Sequence, residues 1–216
     1  MHHDFWHERW RRGEIGFHRT EVHWALERYW DRIAASAGAE PEVLVPLCGK
    51  SLDMLWLAEC GHRVQGVELS RKAIAEFFAE AGRVPEQQAR GELTGWTSGP
   101  IELFEGDFFA FEPDSPSPLF YDRAALVALP ESMRQAYLVK LRRVLADEAQ
   151  GLLVTLESDP ARSDGPPFDV LEFELHRSPG LEFDLLERRK LVNEPARPVE
   201  PNAAPRYESA WRVRAC

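Results

Sequence analysis

Cysteine is scarce, with Cys48, Cys60 and Cys216 the only three in a chain of 216 residues. Their spacing fits no metal-ligand pattern and their odd number fits no disulfide framework, which excludes a zinc cluster and a bridge-stapled secreted fold and points to a reducing, cytoplasmic setting. No run of about 18 apolar residues exists, so no membrane-spanning helix is expected. The start, Met1-His2-His3-Asp4, leads into charged and aromatic residues and not into an apolar signal core. Basic residues are outnumbered, 26 against 36 acidic ones, for a net charge of −10. They are also scattered, so neither nucleic acid nor an anionic membrane is an expected partner. A phosphate-binding loop is missing as well. Gly49-Lys50-Ser51 imitates one, but such a loop needs a glycine five positions before Gly49, and position 44 is Leu.

What is present is apolar material: 44% hydrophobic and 11% aromatic residues suffice for the core of one α/β domain. That single domain is expected to span 1–216, with a helical cap over 1–40 and a Rossmann-like core over 41–216. Phe5, Trp6 and Trp10, then Val22, Leu26, Tyr29 and Ile33, recur at helical steps. Thr20 with His23 makes half a capping box. The glycines of Gly13-Glu-Ile-Gly-Phe-His18 predict a turn between the two helices, and Gly38 and Pro41 end the second.

From Pro41 strands and helices alternate. Val43 to Leu47 is apolar throughout, as befits a strand buried on both faces of a parallel sheet. Ser51 is placed to cap a helix through Glu59, closed by Gly61. Val64 to Leu69 is a second strand, and Ser70 caps a helix over 71–81 that Gly82 closes. Further strands are expected over 101–104, 119–121 and 152–156, with Asp114-Ser-Pro-Ser-Pro118 as a loop and a helix over 131–145 before the last. The segments 181–186 and 207–213, joined by a proline-rich connector from Glu194 to Pro205, predict an antiparallel pair at the sheet edge. The sum is a doubly wound, mostly parallel seven-stranded sheet with an antiparallel edge.

Such sheets bind ligands beyond the carboxyl ends of their strands, where strand order reverses. That places Leu47-Cys48-Gly49-Lys50 at the ligand. An acidic residue at the end of the second strand should accept hydrogen bonds from a ribose, and Glu68 stands there. A dinucleotide site would need Gly-x-Gly-x-x-Gly against its pyrophosphate, and only Gly49 stands in this loop, which argues against an NAD-linked oxidoreductase. A nucleoside without phosphates suits it better, S-adenosylmethionine above all. Glu105-Gly-Asp107-Phe108-Phe109 ends the third strand with a carboxylate and two rings for the adenine, and Asp122-Arg123 ends the fourth beside the acceptor.

Seven ordered blocks strongly resemble the thiopurine S-methyltransferase family: Phe5-Trp-His-Glu-Arg-Trp10, Ile15-Gly-Phe-His18, Val43-Leu-Val-Pro-Leu-Cys-Gly-Lys-Ser-Leu-Asp53, Gly66-Val-Glu-Leu-Ser70, Gly106-Asp-Phe-Phe109, Tyr121-Asp-Arg-Ala-Ala-Leu-Val-Ala-Leu-Pro130 and Gly165-Pro-Pro-Phe168. The resemblance implies a class I methyltransferase fold, S-adenosylmethionine as donor and S-adenosylhomocysteine as product. It implies donor contacts at Trp10, Leu47, Gly49, Glu68 and Arg123, with Arg123 also near the acceptor. The implied acceptor is a small aromatic or heterocyclic thiol, a selenol, or an inorganic selenium or tellurium compound of the kind met in tellurite resistance. The likeness thins after Phe168, and Ser158 and the His23-Trp24 pair depart from the family pattern on the acceptor side.

Each candidate has a plainer alternative. Trp10 covers the sulfonium, a ring-to-cation attraction of about 0.5 to 2 kcal/mol, or packs on the core. Cys48 reads as structural, since no residue is placed in sequence to activate it. Lys50 is solvent-facing or paired, Asp107 contacts adenine or caps a turn, and Arg123 serves the site or pairs with Asp122 or Asp107. His18 and His23 are candidate general bases. Phe5, Trp6, Phe17 and Trp24 favour a flat acceptor if they line the pocket. Methyl transfer from a sulfonium is an in-line displacement that needs positioning more than covalent help, and a thiol is already a good nucleophile. A monomeric enzyme is expected. A non-catalytic S-adenosylmethionine binder would keep Leu47, Gly49 and Glu68 but close the acceptor side.

Overall fold

The computed structural model describes residues 3–162, 164–191 and 205–216. Two helices come first, α1 (His3–Arg12) and α2 (Trp24–Ala34). The alternating part follows with β1 (Glu42–Pro46), α3 (Asp53–Glu59), β2 (Arg63–Glu68) and α4 (Arg71–Glu80). Next come β3 (Glu86–Arg90), β4 (Leu93–Ser98), β5 (Ile101–Glu105) and β6 (Ser117–Arg123). The chain continues with α5 (Glu131–Val144), β7 (Leu145–Ser158), α6 (Glu172–Leu175), β8 (Leu181–Lys190) and β9 (Arg206–Ala215). The expected connector after Glu194 lies, but for Pro205, outside the described residues.

All the strands join one sheet in the order β3-β4-β5-β2-β1-β6-β7-β9-β8. The five central strands, from β5 to β7, run parallel, and antiparallel pairs close both sides. The chain moves from β1 to β2 on one side and later returns to place β6 on the other, so the strand order reverses at β1. Nine strands stand where seven were expected. The two extra ones form the β3–β4 hairpin: every residue of β3 is exposed and all but Ala89 are polar, so it carries no apolar alternation, and β4 is interrupted by Gly95. Its strand character comes from pairing with β5, which the local pattern does not report.

Both faces of the sheet are buried. Val43 and Val45 of β1 face α2, α3 and α4, together with Leu26, Trp30, Met54 and Phe78, while Leu44 faces Phe120 and α5 residues such as Tyr137 and Leu141. This explains why β1 reads as an unbroken apolar run. Ser70 caps α4 by accepting the Ala73 N–H at 3.4 Å. Ser51 does not cap α3: its hydroxyl accepts from Asp53 N at 3.3 Å, and the helix starts at Asp53, two residues later. The residue capping α2 is His23, whose Nδ1 accepts from Ala25 N at 3.3 Å, and not the Thr20 arrangement. Ser117 and Pro118, expected in a loop, begin β6. No helix among the described residues is long and apolar enough to cross a membrane.

Gly66, in the middle of β2, is required by space. A Cβ there would lie 2.5 Å from Leu103 Cδ2 and 2.7 Å from Cys48 Sγ, both in the buried core beneath the β1 loop. Gly66→Ala is therefore expected to cost about 1 to 3 kcal/mol of stability by overpacking, measured by urea denaturation.

Candidate active site

The carboxyl ends of β1, β2, β5 and β6 open into one cavity, roofed by α1 and by the turn that follows it. At the end of β1 the backbone turns sharply. Leu47 takes a φ of +46° and Gly49 a φ of +56°, and the Cys48 N–H bonds the Val67 carbonyl at 3.0 Å, tying the turn to β2. Left-handed backbone is strained for a leucine, and such strain collects at functional turns. Ala124, directly after Arg123, has a φ of +81° and lines the same cavity. At Gly49 a Cβ would meet Trp10 Cζ2 at 3.4 Å, so the indole lies over the bare backbone of the turn.

Glu68 ends β2 inside the cavity, 7% exposed. Its Oε2 accepts the Gly49 N–H at 2.9 Å and its Oε1 accepts the Ser70 N–H at 2.7 Å. Burial pushes this carboxyl up to about 7, against backbone hydrogen bonds at Ser70, Gly49 and Leu69 that pull it down. The Gly49 and Ser70 N–H groups each take one oxygen, and the carboxylate keeps lone-pair capacity for donors of a ligand. Cys48 is buried behind the turn, and burial, followed by the charge of Glu68, holds its thiol well above the usual range, as suits the structural reading.

At the end of β5, Asp107 both caps and lines. Its Oδ1 accepts the Phe109 N–H at 2.9 Å while Oδ2 lies 3.1 Å from His3 Nε2 of α1. Phe108 lines the cavity and packs against Tyr137, ring centroids 5.4 Å apart. No sequence signal marks His3, because its partner, Asp107, lies far along the chain.

Arg123 pairs with neither Asp122 nor Asp107 and enters the cavity, with Nη2 donating to the Phe17 carbonyl at 3.2 Å. Asp122 turns the other way. Fully buried, it accepts from Tyr137 Oη at 2.6 Å, Ala125 N at 3.1 Å and Leu126 N at 3.2 Å, and burial lifts its carboxyl to about 6. It fixes the loop on which Arg123 and Ala124 sit. Removing it in Asp122→Ala strands three buried donors and is expected to cost about 3 kcal/mol of unfolding free energy, read from the denaturant midpoint.

Trp6 and Phe17 line the remaining wall with His18 and Met133. Phe17 meets Trp6 and Trp10 edge-on, with centroids 5.9 and 5.6 Å apart. Phe5 and Trp24 are not in the wall. Phe5 packs edge-on against Trp6, and Trp24 donates to Glu208 at 2.5 Å beneath the Arg189 guanidinium. His23 is likewise withdrawn, fully buried with Nε2 3.1 Å from Glu208. Against the upward pull of burial, His23 and then Trp24 and Arg19 hold the Glu208 carboxyl at about 2. Lys50 is paired, 3.0 Å from Glu76 and 2.6 Å from Glu80. Met133, Leu129 and Ala128 complete the wall; Ala128 and Leu129 lie near the end of the Tyr121–Pro130 block without having been singled out, and no motif in the sequence marks Met133. Among the described residues no three His, Cys, Asp or Glu side chains are placed to hold a metal ion.

A protein-family model described as thiopurine S-methyltransferase matches residues 1–205. A thiopurine S-methyltransferase of Pseudomonas putida (strain F1) is 41% identical over 212 residues, 97% of each chain. That of Azotobacter vinelandii is 43% identical over 198 residues, 90% of each. Among solved structures, the Burkholderia thailandensis 1,6-didemethyltoxoflavin-N1-methyltransferase with bound 1,6-didemethyltoxoflavin and S-adenosylhomocysteine superposes with a TM-score of 0.64 at 15% identity, covering 99% of this chain and 86% of that one. An N-methyltransferase from Bradyrhizobium japonicum WM9 in complex with S-adenosylhomocysteine gives 0.62 at 14% identity, with 97% of each covered. At such identities these two likenesses speak for the fold.

Proposed function

The chain belongs to the thiopurine S-methyltransferase family, and on that premise we propose that its cavity binds S-adenosylmethionine and directs the methyl group to the sulfur of a small aromatic or heterocyclic thiol. The observation that carries this reading is the convergence, in one cavity at the strand-order reversal, of the Leu47–Gly49 turn, the buried Glu68 carboxylate and Arg123. When bound, the donor supplies an electrophilic methyl on a sulfonium.

The residues fit that donor. Glu68 keeps lone pairs for the two ribose hydroxyls. The Gly49 turn, with no side chain of its own, lets the amino-acid end approach the backbone, and Trp10 covers it with a ring face suited to a cation. Leu47 packs beside the nucleoside, and Asp107 with Phe108 borders the adenine. A single glycine leaves no room for a dinucleotide's pyrophosphate. The acceptor side is open and walled by Trp6, Phe17 and Met133 with Arg123 at its base, which favours a flat apolar thiol with anionic character at sulfur over a closed, non-catalytic binder.

Calorimetric titration with S-adenosylmethionine and with NAD, followed by transfer assays on thiophenol, a thiopurine and selenite, tests the proposal. Donor binding without NAD binding, with turnover on the aryl thiols, is the expected result. Turnover on selenite alone would move the acceptor to inorganic selenium, and absence of donor binding would overturn the reading.

A further inference from the structure

Building on the thiol reading of the cavity, we infer that His18 is the base that takes the proton from a neutral thiol seated beside Arg123. Four histidines bear on the question. His62 accepts the Trp30 indole N–H at 2.8 Å, and His23 is buried against Glu208, both outside the cavity. His3 lines it but sits at Asp107, more than half exposed. His18 lines the acceptor wall on a turn closed by its own N–H to the Ile15 carbonyl at 2.8 Å, and the preceding carbonyl, of Phe17, is held by Arg123. One tether thus keeps base and guanidinium together.

The surroundings suit a base. Burial, then the charge of Lys50 on the β1 loop, hold the imidazole below its usual range; Glu80 of α4 opposes them, Arg123 on β6 adds a smaller downward pull, and Glu76 of α4 a smaller upward one. The ring is therefore neutral at pH 7 with a nitrogen lone pair to offer. Arg123, which has no carboxylate partner of its own at Asp122 or Asp107, lowers the pKa of a thiol bound beside it. In the step, the S–H bond breaks and its proton passes to the imidazole. The electron pair left on sulfur forms the new bond to the methyl carbon, and the old carbon–sulfonium bond breaks, its pair returning to the donor sulfur to leave a neutral thioether. The imidazolium then releases its proton to solvent.

The test compares wild type, His18→Gln and His18→Asn on two acceptors, benzyl mercaptan, protonated at pH 7, and 4-nitrothiophenol, already a thiolate there. The expected result is a loss of roughly a hundredfold in kcat/KM for benzyl mercaptan at pH 7, the low end of general-base contributions. The 4-nitrothiophenol rate should hardly change, and the benzyl mercaptan gap should close as pH rises past that thiol's pKa. Equal losses on both thiols, or none on either, in variants with wild-type S-adenosylmethionine affinity and Tm overturn the role. Should neither variant fold, wild type alone decides: at saturating donor, kcat for benzyl mercaptan must fall along an acidic limb that lies below the ordinary histidine value of about 6.5, while that for 4-nitrothiophenol stays level. Donor binding with no turnover of either thiol by wild type would instead remove the thiol reading itself, and the base with it.

Discussion

The Glu68→Gln protein is expected to bind S-adenosylmethionine about a thousandfold more weakly than wild type, and to lose the pH dependence of that binding. Two ribose hydroxyls donating to a carboxylate are worth about 1.5 to 3 kcal/mol each. An amide keeps one acceptor oxygen, turns an NH₂ towards the other hydroxyl, and sets that NH₂ against either the Gly49 or the Ser70 N–H, which the carboxylate now accepts at 2.9 and 2.7 Å. The pH dependence follows from burial, which raises the carboxyl to about 7. Below that value the free protein holds a proton on Glu68 that the ribose must displace. Wild-type affinity should therefore fall by up to about tenfold per pH unit below 7 and be level above it. Titration calorimetry at pH 6, 7 and 8, in buffers of different ionisation enthalpy, reads affinity and proton release together. A Glu68→Gln affinity within a few-fold of wild type, or wild-type binding that releases no proton at pH 6, would remove Glu68 from the ribose.

How much of this the sequence disclosed depended on how local the cause is. The β1 strand, the Ser70 cap and the end of α4 at Gly82 were legible because each rests on side chains within a few positions. That Leu47, Gly49 and Glu68 fall together in one cavity was legible for a related reason, since strand ends and the turns after them are read in order along the chain. The β3–β4 hairpin was not, because a polar strand owes its state to its neighbour. Arg123 shows the boundary within one residue. Its place at a strand end was predictable, whereas its partner, the Phe17 carbonyl, lies 106 positions away and is a backbone atom that no motif can announce. A shorter separation, 30 positions to Glu80, hid the pairing of Lys50 with α4 as well, which is why its alternatives stayed open.

Arg123→Met is expected to lower kcat/KM for an aryl thiol by about a thousandfold, with a smaller loss of donor affinity. Two effects combine. Withdrawing a fixed donor from developing or resident negative charge costs about a hundredfold to a thousandfold. Withdrawing the bond to Phe17 also frees the turn that carries Phe17 and His18, a charge-assisted hydrogen bond worth about 1.5 to 3 kcal/mol. Arg123→Lys should recover little, because the guanidinium has five donors in a fork and can hold the carbonyl and face the sulfur together, where an ammonium on a flexible stem must choose. Kinetics on 4-nitrothiophenol, whose sulfur is already ionised, separate this role from proton removal, since the charge contribution of Arg123 persists there and that of His18 does not. Unchanged turnover and unchanged donor affinity in Arg123→Met would sink the assignment. A further consequence distinguishes electrostatics from mere looseness: Arg123 is one of the smaller causes that hold the His18 imidazole low, so its removal should move the acidic limb of the pH–rate profile for benzyl mercaptan slightly upward, with burial and Lys50 left to lower it. A loosened turn with no change in charge would slow the reaction without moving that limb.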